Sequence, residues 1–267
     1  MTREMKMLLE ALDASKAQID AVRPLPKHTV ASLRDKLHLE WTYHSNAIEG
    51  NTLTLRETKV VLEGITVGGR SLVEHLEAIN HREAINYVEG IVADQEDLSE
   101  WQIKNIHALV LKGIDGEGAG KYRRENVVIS GASITPPDYL LVEDKMREMM
   151  TWYEKAKQLH PVERAAKLHT IFVKVHPFVD GNGRTGRLLM NFELMKFGYP
   201  PAILRKEDRL DYYNALDEAC STGSYDKITR MIGGAVQRSL DTYVSLVQPG
   251  VKHNVVNDAS PEPDMKP

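Results

Sequence analysis

His176-Pro177-Phe178-Val179-Asp180-Gly181-Asn182-Gly183-Arg184-Thr185-Gly186-Arg187 is the stretch from which the rest of the chain is read. It sets an imidazole, a carboxylate, close-set glycines and two arginines side by side. Each residue type answers a need of a bound triphosphate. Glycines let backbone N–H groups approach phosphate oxygens. The run Leu188 to Phe197 is apolar on a helical period, so the glycine loop feeds a helix N-terminus, a natural anion site. Arg184 and Arg187 fall on one face of that helix's first turn. Cations favour the opposite helix end, so this placement implies an anion between them and the loop. Asp180 is a hard oxygen donor of the kind Mg2+ takes together with phosphate oxygens. His176 stands where it could take a proton from an attacking hydroxyl.

Two plainer readings compete. Gly181-Asn-Gly183-Arg-Thr-Gly186 also spells G-x-G-x-x-G, with Ile171 to Val175 as a strand before it, which is a dinucleotide fingerprint. The chain lacks the strand–helix alternation and the later acidic residue which that fold needs. Alternatively, His176-Pro177 is a helix end and the glycines a turn. That reading leaves Asp180 and both arginines unexplained.

The segment resembles the signature of Fic-domain proteins, His-Pro-Phe-x-(Asp/Glu)-Gly-Asn-Gly-Arg-x-x-Arg, with all nine specified positions matched. Members of that family transfer AMP from ATP to a hydroxyl of a target protein. The resemblance implies His176 as general base and Asp180 as Mg2+ ligand. It implies Gly181, Asn182 and Gly183 as a cradle for the α-phosphate, with Arg184 and Arg187 on the β- and γ-phosphates.

Upstream, a helix is expected from about Thr29 to Ile48, capped at Gly50. Glu49 stands in its last turn, where a carboxylate opposes the helix dipole and calls for a cationic partner. Ser45-x-x-x-Glu49-Gly50 resembles the inhibitory-helix motif (Ser/Thr)-x-x-x-Glu-(Gly/Asn) of one class of Fic proteins. There the glutamate pairs with the second signature arginine, here Arg187. In some relatives it also orients water to remove AMP.

Thr54-x-x-Glu57, Ser71-x-x-Glu74 and Ser99-x-x-Gln102 read as capping boxes that start helices. Between them and the signature, Asn126 to Ser130 and Ser133 to Thr135 read as a short hairpin, closed by Pro136-Pro137. Its open edge suits an extended peptide. In the resembling family a flap at this place, after Gly120-x-Tyr122-Arg123, aligns the target over the site. Val127, Val128 and Ile129 are the flap residues implied. Further on, Tyr213 is the implied aromatic near the adenine. Cys220 replaces an asparagine that contacts the base in some relatives, which leaves the fine nucleotide preference open. His169 and His176 are about 10 Å apart along a helix, too far to share one zinc ion easily. His160 and His169 are read as structural or exposed.

With 267 residues, 42% of them apolar, the chain can build a sizeable core, and its net charge of −4 gives no sign of nucleic-acid binding. Cys220 is the one cysteine, which excludes an internal disulfide framework and fits a reducing cytosol. No signal peptide and no membrane-spanning run is read, and the expected location is cytoplasmic. The fold expected is an all-α Fic-type bundle with one small β-hairpin flap. N-terminal helices occupy residues 1–52, the core 53–247 with its flap at 121–137, and a disordered tail 248–267. The activity implied is AMP transfer restrained by Glu49, with ATP and Mg2+ required and a protein hydroxyl as acceptor. Relatives with this inhibitory helix often form dimers, so a homodimer is an expectation. Two alternatives stand beside it: a hydrolase that removes AMP, and an ATP-sensing module without turnover.

Overall fold

Leu188, Leu189 and Phe192 pack on one side of a helix whose Met190 and Leu194 pack on the other. That helix, α8 (Asn182–Lys196), is buried along nearly its whole length, and its poor amphipathicity follows from this. In the computed structural model, which describes residues 2–129 and 131–247, α8 divides two apolar cores. The first gathers Leu33, Leu37 and Trp41 of α2 (Lys27–Ile48) and Ala84, Ile85 and Val88 of α4 (Leu72–Ala93). To these it adds Ile103 and Ile106 of α5 (Glu100–Val110) and Met146 and Met149 of α6 (Val142–Lys155). The second joins α1 (Arg3–Asp20) to α9 (Arg209–Thr222) and α10 (Asp226–Val247). Helix α7 (Pro161–Val175) lies antiparallel to α8 and feeds both cores, with Leu168 and Phe172 on one side and Val162 and Ala165 on the other. Each fully buried leucine of this kind stabilises the fold by roughly 2 kcal/mol relative to exposure.

The helix starts fall where the sequence sets them. Thr54, Ser71 and Ser99 each accept from the backbone of the third residue on and receive that residue's side chain in return. The first of these boxes opens α3 (Leu55–Leu62). Helix α2 ends at Ile48, so Glu49 is the residue just beyond the helix rather than part of its last turn. Gly50 then reverses the chain at φ 103°.

The expected β-hairpin does not form. Among the described residues there is no strand, and residues 124–129 and 131–137 run as bends, a turn and irregular backbone. A turn at Gly131 is closed by the Ala132 N–H on the Ile129 carbonyl at 3.2 Å. Pro136 and Pro137 have no N–H to give to a ladder, and an isolated two-stranded pair is marginal in any case. Other bonds hold the segment. Arg123 donates to the carbonyls of Glu125 (3.0 Å) and Pro137 (2.5 Å), and the Ser133 N–H donates to Asp217 Oδ1 on α9 at 2.7 Å. Side-chain alternation survives without the ladder: Val127 and Ile129 are half-buried and Val128 is 87% exposed. The expected tail, 248–267, lies outside the described residues.

Candidate active site

The signature begins where α7 stops. His176 closes that helix in the left-handed region, φ 49° and ψ 60°, with its N–H on the Phe172 carbonyl. A residue with a Cβ pays about 1–2 kcal/mol to sit there, so its surroundings must hold it. Arg123 does so. Its Nε donates to the His176 carbonyl and its backbone N–H to the Pro177 carbonyl, both at 2.9 Å. From the other side, His107 of α5 donates from Nε2 to the Asp180 carbonyl at 2.8 Å and accepts the Gly120 N–H on Nδ1 at 2.9 Å. Those two bonds fix a neutral tautomer, and burial pushes the His107 pKa down to about 4. Its ring stacks on Phe178 with centroids 3.5 Å apart.

Within the loop, the Asn182 side chain grips Phe178 twice. Its Oδ1 accepts the Phe178 N–H at 3.0 Å, and its Nδ2 donates to the Phe178 carbonyl at 2.9 Å. That side chain is therefore spent on loop shape, which leaves backbone N–H groups for an anion. Gly181, at φ 73°, starts α8 without any side-chain cap. Its close approach to His107, 3.1 Å from where a Cβ would stand, leaves no room for a side chain. The first intrahelical bond of α8 is Thr185 N–H to Gly181 O, so the N–H groups of the helix's first turn have no intrahelical acceptor.

A carboxylate lies over that turn, and it belongs to Glu49. A Cβ on Gly183 would collide with Glu49 Oε1 and stand 3.1 Å from Glu49 Cδ. The same Oε1 accepts from Arg187 Nη2 at 2.7 Å. Arg187 also donates to the Ser45 carbonyl (2.8 Å), to Ser45 Oγ (3.1 Å) and to the Tyr212 hydroxyl (3.4 Å). Tyr212 in turn donates to His169 Nε2 at 2.7 Å. Burial disfavours the Arg187 charge, yet the neighbouring Glu49 carboxylate and Tyr212 hydroxyl together outweigh it and hold its pKa above the ordinary value. Ser45 and Glu49 are thus brought to Arg187 as the sequence motif implies.

The first signature arginine points elsewhere. Arg184 donates to Glu77 Oε1 of α4 at 2.8 Å and to Asp180 Oδ2 at 3.3 Å. Asp180 remains 69% exposed at the loop mouth, the setting in which one carboxylate and a nucleotide's phosphates could share a cation. His176 lies close by with Nδ1 buried, which leaves Nε2 as the nitrogen for a hydroxyl. Burial lowers its pKa from the ordinary 6.5, so it is an unprotonated base at neutral pH.

The chain is similar in sequence and fold to known proteins. A profile of the Fic/DOC family matches residues 97–194. Protein adenylyltransferase Fic of Drosophila melanogaster is 35% identical over 237 residues, which cover 88% of this chain and 48% of that one. The chain spans about half the length of the curated relatives it matches. Fic-1 from C. elegans superposes with a TM-score of 0.83 at 29% identity, over 92% of this chain and 74% of that one. A variant of the same C. elegans protein is 30% identical, with a TM-score of 0.80, over 90% of this chain and 72% of that one. The chain belongs to the Fic family.

Around this Fic signature stand residues that sequence reasoning passed over. His107 lies on the buried face of α5. Tyr212 lay beside Tyr213, and the pair divides: Tyr212 is buried on Arg187, while Tyr213 is 37% exposed and donates to the Ile48 carbonyl at 3.2 Å. Glu77 and Asp217 carried no local pattern that marks them. His81 of α4 is buried near both arginines, which together with burial hold it neutral. Gly186 admits His169, whose Nδ1 would be 2.8 Å from a Cβ there. Cys220 is buried, with its thiol 3.9 Å from the Thr170 carbonyl.

Proposed function

We propose that this Fic chain transfers AMP from ATP to a hydroxyl of a target protein, and that Glu49 restrains it. One observation carries the reading: a carboxylate of the chain itself sits over the uncapped start of α8 and on Arg187, where an incoming anion would bind. In this reading the triphosphate lies along the turn of Gly181, Asn182 and Gly183, with Arg184 and Arg187 as its cations. Tyr213 lies near the base. His176 Nε2 takes the proton as the target hydroxyl attacks the α-phosphorus and pyrophosphate leaves, while the surrounding donors stabilise the charge that develops. Mg2+ held by Asp180 and the phosphates would neutralise phosphate charge; a single hard carboxylate at an exposed loop mouth fits it.

Removal of AMP by water is the second reading. Arg187 engages one carboxylate oxygen of Glu49, which leaves the other to orient a water. The cytosol is the proposed compartment.

Incubation with labelled ATP separates these readings. Label on protein supports the transferase, loss of label from a pre-labelled target supports the hydrolase, and ATP bound without reaction contradicts both. Asp180→Ala is expected to lower Mg2+-dependent nucleotide binding and transfer together. Binding and transfer that survive both this change and excess chelator would remove Asp180 from the metal.

The segment 124–137 is proposed to receive the target. Val128 is exposed, and the backbone around it belongs to no helix or strand, so it is open to pairing with a peptide strand. Val128→Pro removes a donor there and should lower target modification while leaving ATP affinity intact. An equal loss of ATP binding would make the segment structural only.

A further inference from the structure

The turn that carries Glu49 is not held by Arg187 alone. Asn46 Nδ2 donates to the Glu77 carbonyl at 3.2 Å. Asn51 Nδ2 donates to the Glu74 carbonyl at 3.1 Å and to Glu77 Oε2 at 2.8 Å. Thr52 donates from its N–H to Glu74 Oε1 at 3.0 Å and from its hydroxyl to the same oxygen. The first two turns of α4 therefore clasp residues on both sides of Glu49. Glu77 has a second engagement, because its other oxygen, Oε1, accepts from Arg184 at 2.8 Å. One carboxylate thus bridges a signature arginine and the segment whose glutamate occupies the other signature arginine.

We propose that Glu77 is a positioning residue shared by Arg184 and the Glu49 turn, so that through Asn51 it couples the hold on Arg184 to the hold on Arg187. The inference rests on the restraining role of Glu49 argued above. Arg184 is buried and, among the described residues, its side chain pairs with two carboxylates, Glu77 and Asp180. A phosphate that draws Arg184 toward the loop pulls on Glu77 and weakens its grip on Asn51. The turn then loosens, and Glu49 leaves Arg187 more readily. A carboxylate in place of the Asn51 amide should do the same without nucleotide, since two carboxylates would then face each other.

Asn51→Asp is the informative variant. It keeps the oxygen that accepts the Leu53 N–H at 3.0 Å, so the local turn survives, and it replaces only the bridging amide donor. We expect Asn51→Asp to raise AMP transfer about fivefold or more, the effect of losing at least one typical hydrogen bond. The rise should not exceed that of Glu49→Gly, and adding Asn51→Asp to Glu49→Gly should change nothing further. Asn51→Ser, with a shorter donor, should fall between wild type and Asn51→Asp, which guards against a variant that merely melts. In the Glu49→Gly background, Glu77→Gln should raise the KM for ATP about tenfold with little change in kcat, because Arg184 loses its charged anchor.

If Glu49→Gly activates while Asn51→Asp stays at the wild-type rate, the clasp is overturned and the Glu49 brake stands. If Asn51→Asp still activates on top of Glu49→Gly, Asn51 acts elsewhere and the coupling is overturned. An unchanged KM in Glu77→Gln overturns the positioning of Arg184. If Glu49→Gly itself fails to activate, the reading beneath the proposal falls, and the proposal with it.

Discussion

Glu49→Gly is expected to raise AMP transfer, to a target or to the chain itself, at least about tenfold over wild type, which is only about 1.4 kcal/mol of barrier. Arg187 is buried and spends its donors on Ser45, Glu49 and Tyr212. The Glu49 carboxylate also lies against Gly183, over the start of α8. A triphosphate arriving there meets a like charge and an arginine already taken. On the proposed restraint the reacting phosphorus would settle out of line with His176, and a misplacement of about 1 Å can cost on the order of 100-fold in rate. Removing the carboxylate clears both obstacles. The fold should survive, because Glu49 lies beyond the end of α2, is partly exposed, and precedes a glycine turn. Ser45 and Tyr212 remain to hold Arg187 when its carboxylate has gone. Adding Arg187→Ala to Glu49→Gly should abolish the gain, since the freed guanidinium is what the activation uses. Removal of AMP, if the wild type performs it, should disappear in Glu49→Gly. An unchanged or lower rate in folded Glu49→Gly would leave Glu49 as an ordinary helix-end residue.

His176→Ala should lower transfer by about 10²–10⁴-fold with ATP binding nearly intact, the signature of a lost general base. The structure gives this a pH dependence. Burial lowers the His176 pKa, so the base form persists below the ordinary 6.5. The acid limb of kcat/KM should therefore fall below that pH, and the rate should decline as His176 becomes protonated. The Glu49 charge acts in the opposite direction and favours protonated His176. In Glu49→Gly the acid limb should consequently move lower still. Wild-type rates in the alanine variant would end the assignment.

Most of the fold was legible because it rests on local rules. Capping boxes at Thr54, Ser71 and Ser99 start their helices as read. Glycines at 50, 198 and 223 take positive φ at or just beyond helix ends. The site was legible where chemistry is dense in sequence, from His176 to Arg187, and where a short motif placed Ser45 and Glu49. What escaped was long-range. Glu77 meets Arg184 across 107 residues, and Asp217 meets Ser133 across 84. Neither glutamate nor aspartate is unusual on a helix face, so no periodicity could single them out. The hairpin failed for a different reason. The β-branched run Val127, Val128 and Ile129, bounded by Gly131 and Pro136-Pro137, gave the pattern of a strand, but a strand needs a partner ladder. Here the guanidinium of Arg123 and the carboxylate of Asp217 take up bonds that a second strand would have made. His107 was missed because a histidine among Ile103, Ile106 and Val110 reads as core. It is core, and it also sets the Asp180 carbonyl.

The proposed activity moves the adenylyl group, and not another phosphate, onto protein. The direct test incubates Glu49→Gly and a candidate target with Mg2+ and ATP labelled at either the α- or the γ-phosphorus. Protein-bound label is then read after denaturation. Stable label is expected from α-labelled ATP alone, with the γ-label recovered in pyrophosphate, and the protein signal should be lost when His176→Ala is added. Label that reaches protein from γ-labelled ATP, or no protein label from either, would contradict it.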